Sequence, residues 1–273
     1  MSGGGGRGAL EFWDCHAMVG PATVPPPGGT LDVRGLTAEL ARAGIGRALA
    51  HHGLARDYDA AVGNDLLLQE LAGSSSLVPC ATLLPPATGE LAPLEDLLPA
   101  LVAAGVRAVR LYPKSHNFSL AGWCSGALLD ALERHQLPLS VDLGETEWDA
   151  IHQLCQDYPH LPVIVTRVNY RQERYLYPLW SLHQNLHVEI SLFQAHRALE
   201  EAVRRFGHQR LLFGTGLPAF DPGAPIMMVC RGEIADEARR AIAGGNLRRL
   251  LSAVRAAGST SAPAIAPHGD GGR

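Results

Sequence analysis

The feature that most constrains this chain is an alternation. Short apolar or β-branched runs recur at Ala9–His16, Ile45–His51, Leu77–Leu84, Val106–Tyr112, Leu137–Leu143, Pro162–Val168, Leu186–Ser191 and Arg210–Thr215, each bounded by Gly, Pro, Asn or a polar cluster. Runs of this length and composition read as buried strands. Their starts lie 24 to 36 residues apart, room each time for a strand, a helix and two loops. Helical patterns occupy much of the intervening sequence: Leu36–Gly44, Leu94–Gly105, Gly126–Gln136, Thr146–Tyr158, His196–Gly207 and Glu233–Ala257. Apolar residues fall at three- and four-residue spacing, and several stretches stop at Gly. Thr37 is expected to cap the first, Thr146 with Asp149 to form a capping box on the fourth, and Gly244-Gly245 to interrupt the last. Strand–helix units of this number in about 250 residues predict a single-domain α/β fold, a (β/α)8 or TIM barrel, over an open doubly wound sheet. No GxGxxG loop follows the first run, which weakens a dinucleotide-binding reading. The barrel is expected over 9–257, between a flexible Gly-rich N-terminus (1–8) and a flexible Gly/Ala/Pro/Ser-rich C-terminal tail (258–273).

Composition removes whole classes of function. Lys plus Arg is 23 against Asp plus Glu 27, a formal charge of −4, so neither a basic nucleic-acid surface nor a polybasic membrane anchor is expected. With 47% hydrophobic residues the chain can bury a full core. No apolar run approaches the roughly 20 residues that cross a bilayer, and MSGGGGRGALEF lacks the apolar core of a signal peptide. Cys15, Cys80, Cys124, Cys155 and Cys230 are scattered, with no CxxC pair. They read as reduced thiols of a cytoplasmic protein.

A barrel of this kind does its chemistry at the C-terminal ends of its strands. Those ends offer Asp14, Cys15 and His16; His51-His52; Thr82; Arg110 with the loop Tyr112–Asn117; Asp142 and Glu145; Arg167, Asn169 and Tyr170-Arg171; Glu189 and Ser191; and Thr215 with Asp221 beyond. Charges within apolar strands are costly unless paired or used. Arg110, Asp142, Arg167 and Glu189 are such charges, on four strands. They form either an internal ion-pair ring that fixes the barrel, or an anion-accepting pocket in which guanidinium forks grip carboxylate or phosphate; the two can coexist. Of the adjacent pair His51-His52 only one can face inward. His135, His152, His160, His183, His187 and His208 are assigned to outer positions, and His196 is a weaker candidate beside the mouth. The aromatic stretch Tyr170–Trp180 suits a lid or an interface.

These residues resemble a known family. FWDCH at 12–16, GVRAVRLYP at 105–113, FGHQRLLFGTGLP at 206–218 and IAGGNLRRL at 242–250 look like the amidohydrolase superfamily, in its amidohydrolase-related (aminocarboxymuconate-semialdehyde decarboxylase-like) branch. The resemblance runs from about Phe12 to Leu251 by motif order. It implies a (β/α)8 barrel that commonly holds one divalent metal. The metal positions are where this sequence departs. The strand-one His-x-His is His16-Ala17-Met18, the strand-five His falls on Asp142, the strand-six His on Arg167, and the strand-eight Asp on Gly216. A catalytic zinc takes about three protein ligands and an open position. His16 and Asp142 beside a fixed cation make a poor site, so no cofactor is expected and a divalent metal such as zinc is disfavoured.

The expected function is then a metal-independent hydrolase or lyase acting on a small, anionic, carboxylate-bearing substrate. Candidate catalytic residues are His16, Asp142 and Asp14. Candidate substrate-binding residues are Arg110, Arg167, Asn169, Glu189, His116 and Thr215. One alternative is a catalytically inactive barrel that binds a ligand or partner. A third reading is a mono-metal hydrolase that borrows His116 or Asp221. No nucleic-acid or membrane partner is expected, and a homo-oligomer is left open.

Overall fold

A computed structural model describes residues 10–255. Its strands form one parallel sheet in chain order: β1 (Phe12–Val19), β2 (Ile45–His52), β3 (Leu77–Thr82), β4 (Ala108–Leu111), β5 (Leu139–Asp142), β6 (Val163–Thr166), β7 (Leu186–Glu189) and β8 (Leu211–Leu212). The ends meet through backbone bonds from Cys15 N to Phe213 O (3.0 Å), Gly216 N to His16 O (2.8 Å) and Met18 N to Leu217 O (2.9 Å). The expected single-domain (β/α)8 barrel is therefore the fold. The termini expected to be flexible, 1–8 and 258–273, lie outside the described residues.

Parallel pairing needs a crossover after each strand. The crossovers carry α1 (Val33–Arg42), α2 (Gly53–Asp57), α3 (Ala60–Glu70), α4 (Leu94–Ala103), α5 (Gly122–Arg134), α6 (Trp148–Asp157), α7 (Glu173–Leu182) and α8 (Ala198–Phe206), followed by α9 (Gly223–Arg231), α10 (Asp236–Arg240) and α11 (Asn246–Ser252). None is long and apolar enough to cross a membrane. The interior below the mouth is filled by Trp13, Cys15, Leu49, Cys80, Ala108, Ile164 and Leu212, against Leu247, Leu250 and Leu251 of α11. Asn246 ties α11 to the barrel by donating to His208 O (2.6 Å) and Leu211 O (2.9 Å).

Local expectations fail where tertiary contacts decide. Asp32, not Thr37, caps α1, its Oδ1 accepting from Gly35 N at 2.7 Å, the bond that favours a carboxylate at this position. The Thr146–Asp149 capping box does not form: α6 starts at Trp148 without a side-chain cap. Trp148 is buried there, and its Nε1 donates to Gln172 Oε1 at 2.7 Å. Gly244-Gly245 does not break the last helical region, because Ala241–Gly245 forms a π turn joining α10 to α11. A Cβ on Gly244 would lie 2.6 Å from Glu11 O, so the glycine serves a close approach to the chain entering β1. The aromatic stretch 170–180 runs into α7, where Trp180 is buried against Phe193 and Phe206.

His187 is also corrected. It lies in β7, buried, not on an outer position. Burial, with the nearby Arg249 and Arg210 guanidiniums, pushes its pKa down to about 3. The unfolded chain takes up that proton near pH 6.5, so acidification below that pH favours unfolding and stability is fully present only above it. Between roughly pH 6.5 and 5 this amounts to about 2 kcal/mol. His187→Leu is expected to remove that share of the acid loss, read as the difference in urea stability between pH 7 and pH 5.

Candidate active site

The pairing of β1 with β2 shifts register between Asp14 and Ala17. Such irregularities re-aim side chains, and here neighbouring residues take different tasks. His16 lines the mouth. Asp14, fully buried, faces the chain after β8: its Oδ1 accepts from His16 N (2.8 Å) and Thr215 N (3.0 Å), and Thr215 Oγ1 donates to its Oδ2. Burial raises the Asp14 pKa to about 7, against the lowering effect of these donors. Thr215 Oγ1 in turn accepts from Leu217 N (3.0 Å). Asp14 and Thr215 thus form a clasp across the barrel closure, outside the cavity lining.

His16 Nδ1 stands 3.7 Å from Glu189 Oε2 and has no hydrogen-bond partner. Glu189 is fully buried. It accepts from Ser191 N, from Ser191 Oγ (3.0 Å) and from Arg167 N (3.2 Å). Burial alone would raise the Glu189 pKa; the adjacent His16 and the Ser191 donors outweigh it and hold the carboxyl below its usual range. Burial and the Arg110 charge push the His16 pKa down, so the ring is neutral at neutral pH. His51 is the inward member of its pair, its ring 5.9 Å from that of His16. Its pKa is pushed well down by burial and Arg110. His52 turns outward and accepts from Leu54 N (3.2 Å) at the start of α2.

The four intrastrand charges do not close a ring. Asp142 Oδ2 lies 3.6 Å from a guanidinium nitrogen of both Arg110 and Arg167, and its Oδ1 accepts from Gly144 N (2.8 Å). Arg110 is nearly sealed, donating to Ser140 Oγ (2.9 Å) and Thr166 Oγ1 (3.2 Å) and leaving Nε without a partner. Arg167 has a left-handed backbone (φ 61°), which lifts its side chain toward solvent at 48% exposure. Its guanidinium lies over the Phe220 ring and, among the described residues, makes no hydrogen bond to the protein.

These groups surround one cavity of about 450 Å³. His16, His51, Arg110, Tyr112 and Asp142 line its inner part; Arg56, Arg167 and Phe220 line its rim, and the proline-rich segment 22–27 its roof. Thr23 N donates to Asp57 Oδ2 (2.8 Å) and Gly28 N to Pro218 O (3.1 Å), which fastens the roof. Arg56, Arg110 and Arg167 are matched by Asp57, Asp142 and Glu145 in the lining. The charged side chains of the lining therefore balance, three against three.

Arg56 is not among the strand-end groups read from the sequence, and Tyr112 stands there only as the first residue of the loop after β4. Arg56 sits on the five-residue α2, where the periodicity gave no helix. It donates to Glu145 Oε1 (2.9 Å) and Ser115 Oγ (3.2 Å). A Cβ on Gly63 would lie 2.3 Å from Ala55 Cα, so only glycine lets α3 back onto α2 and hold it there. Burial would raise the Glu145 pKa, but the Ser115 hydrogen bonds and Arg56 outweigh it and hold the carboxyl low. His116 lies outside the lining: its Nε2 contacts Arg56 O (2.8 Å) and its ring meets Tyr112 edge-on. Asn169 accepts from Arg171 N (2.9 Å) and lines an adjoining depression that shares Arg56, Asp142, Glu145 and Arg167. His196 is exposed and does not line the cavity. Asp221 is engaged with Gly223 N (2.7 Å).

Among the described residues, no three His, Cys, Asp or Glu side chains are grouped to hold a metal ion. The chain matches the family model described as amidohydrolase over residues 13–252. No curated protein matches it in sequence. It is similar to a solved uncharacterized TIM-barrel protein from Bordetella bronchiseptica (TM-score 0.72, 16% identity, 89% of this chain and 99% of that one). It is also similar to 5-carboxyvanillate decarboxylase from Sphingomonas paucimobilis (0.71, 14%, 89% and 99%). A third is 2,6-dihydroxybenzoate decarboxylase from Rhizobium (0.64, 15%, 89% and 99%). Identities this low establish a shared fold, and function has to be argued from the site.

Proposed function

The chain belongs to the amidohydrolase family, and from that membership we propose that its barrel mouth is the active site of a metal-independent hydrolase or lyase for a small carboxylate-bearing molecule. The observation that carries this reading is convergence: His16, Arg110, Asp142 and Arg167, from four strand ends, line one cavity. Two of the similar structures are named for decarboxylation of aromatic carboxylates, which supports the substrate class. The free cysteines fit a reducing, cytoplasmic setting.

The residues present do not fit a resident dication. Asp142, the second potential ligand after His16, is shared by two guanidiniums at 3.6 Å, which would repel a metal placed on it. Met18 and Gly216 line the cavity where the family pattern has His and Asp. Arg167, without a hydrogen bond of its own, receives the substrate carboxylate in its planar fork, and Asp142 holds that fork in place. His16 is neutral and turns Nδ1 toward Glu189, which leaves Nε2 for the cavity. As general base it takes a proton from an attacking water or from the substrate; Glu189 stabilises the imidazolium so formed, which returns the proton to the leaving group. Asp14 positions His16 by accepting its backbone N–H.

A ligand-binding barrel without turnover is the second reading, favoured by the engagement of Asp142 with both arginines. The deciding experiment measures turnover of small aromatic carboxylates by chelator-dialysed protein. Activity that survives chelation and disappears in His16→Gln is expected; activity lost on chelation and restored by stoichiometric zinc would sink the metal-free reading. Arg167→Ala is expected to weaken carboxylate binding by about ten- to a hundredfold, measured by calorimetry.

A further inference from the structure

Tyr112 has no part in the reaction outlined above. It follows β4 directly, is 3% exposed and lines the cavity. Its ring is held on several sides. The Arg110 and Arg56 guanidinium carbons lie 5.4 and 5.5 Å from its centroid, the His116 ring packs edge-on at 5.6 Å, and the His51 ring lies at 6.4 Å. The phenol is thus immobilised; the Arg110 guanidinium lies near its buried oxygen and lowers its pKa, yet neither that group nor any other described one meets it in hydrogen-bonding geometry. Leaving a buried hydroxyl unmet costs about 1–3 kcal/mol, and buried tyrosines ordinarily find a partner. Arg110, which lines the same cavity, also has a buried nitrogen, Nε, without a hydrogen bond.

We infer that Tyr112 is a substrate-recognition residue, whose O–H donates a hydrogen bond to an oxygen of the carboxylate that Arg167 receives, on the side of the cavity where Arg110 and Arg56 flank the phenol ring. This rests on the carboxylate reading of the cavity. The donor suits an anion. Burial pushes the phenol pKa up to about 12, so the group keeps its proton at neutral pH. An uncharged donor flanked by two guanidiniums favours an anionic oxygen over an ammonium group without adding a charge that must itself be desolvated.

Tyr112→Phe removes one oxygen and leaves the ring packing in place. With benzoate as the probe, affinity by calorimetry is expected to fall about tenfold or more, while the Tm of the free variant stays equal to or above that of the parent. A clear fall in the free protein's Tm overturns the inference, because the hydroxyl would then be bonded within the fold. Equal benzoate affinity in parent and variant overturns it too, and leaves the carboxylate reading standing. If the parent binds no benzoate, the carboxylate reading fails and the Tyr112 inference falls with it.

Discussion

A His16→Gln variant is expected to fold, to bind carboxylate, and to lose about two to four orders of magnitude in kcat on whatever substrate the chelated parent turns over. Glutamine nearly matches the imidazole in size and polarity, so the buried space beside Glu189 stays filled. What it lacks is a nitrogen that can gain and release a proton near neutrality. The pH profile adds a readout that mere packing would not move. In the parent, kcat/KM should fall on acidification through the depressed His16 pKa and stay flat above it. Glu189 supports the protonated ring while burial and Arg110 oppose it. Glu189→Gln should therefore shift the acid limb to lower pH. A kcat reduced less than about tenfold in His16→Gln would remove the imidazole from the chemistry.

The fold was legible in the chain because parallel strands buried on both faces appear as nearly continuous apolar runs. Arg110, Asp142 and Glu189 stood out for the same reason, as charges where the pattern demanded apolar groups. Their partners were less accessible. A period-2 reading assumes an unbroken pleat, and the register shift within β1 breaks it, so sequence could not tell that Asp14 turns to Thr215 while His16 turns to the cavity. Arg56 reaches the site on a helix of five residues, too short to display a 3.6-residue period, and held by a glycine contact with α3 that no local pattern encodes. Of the two readings of these charges, the ion-pair ring is replaced by a line, Arg110–Asp142–Arg167. Arg167 has its backbone in the left-handed region and its side chain at the rim, and it meets Glu189 only through its amide, at 3.2 Å. Asn169 lines the depression beside the cavity, and His116 packs behind Tyr112 against Arg56 O.

Asp14→Ala is expected to destabilise the protein by about 3–5 kcal/mol, measured by urea unfolding at constant pH. The carboxylate accepts from two backbone amides and one hydroxyl at the point where β1 meets the chain after β8, and alanine leaves all three donors buried without an acceptor. Each such loss costs about 1–3 kcal/mol, and neighbours sharing one network do not add in full. Asp14→Asn keeps one oxygen for the amides and should lose less than half as much. The same pair of variants separates two roles for a carboxyl whose pKa lies near 7, a value that also suits acid–base catalysis. If Asp14 only positions His16, Asp14→Asn should retain kcat within about tenfold of the parent. A stable Asp14→Asn protein as inactive as His16→Gln would mean that the chemistry needs this carboxyl for more than positioning.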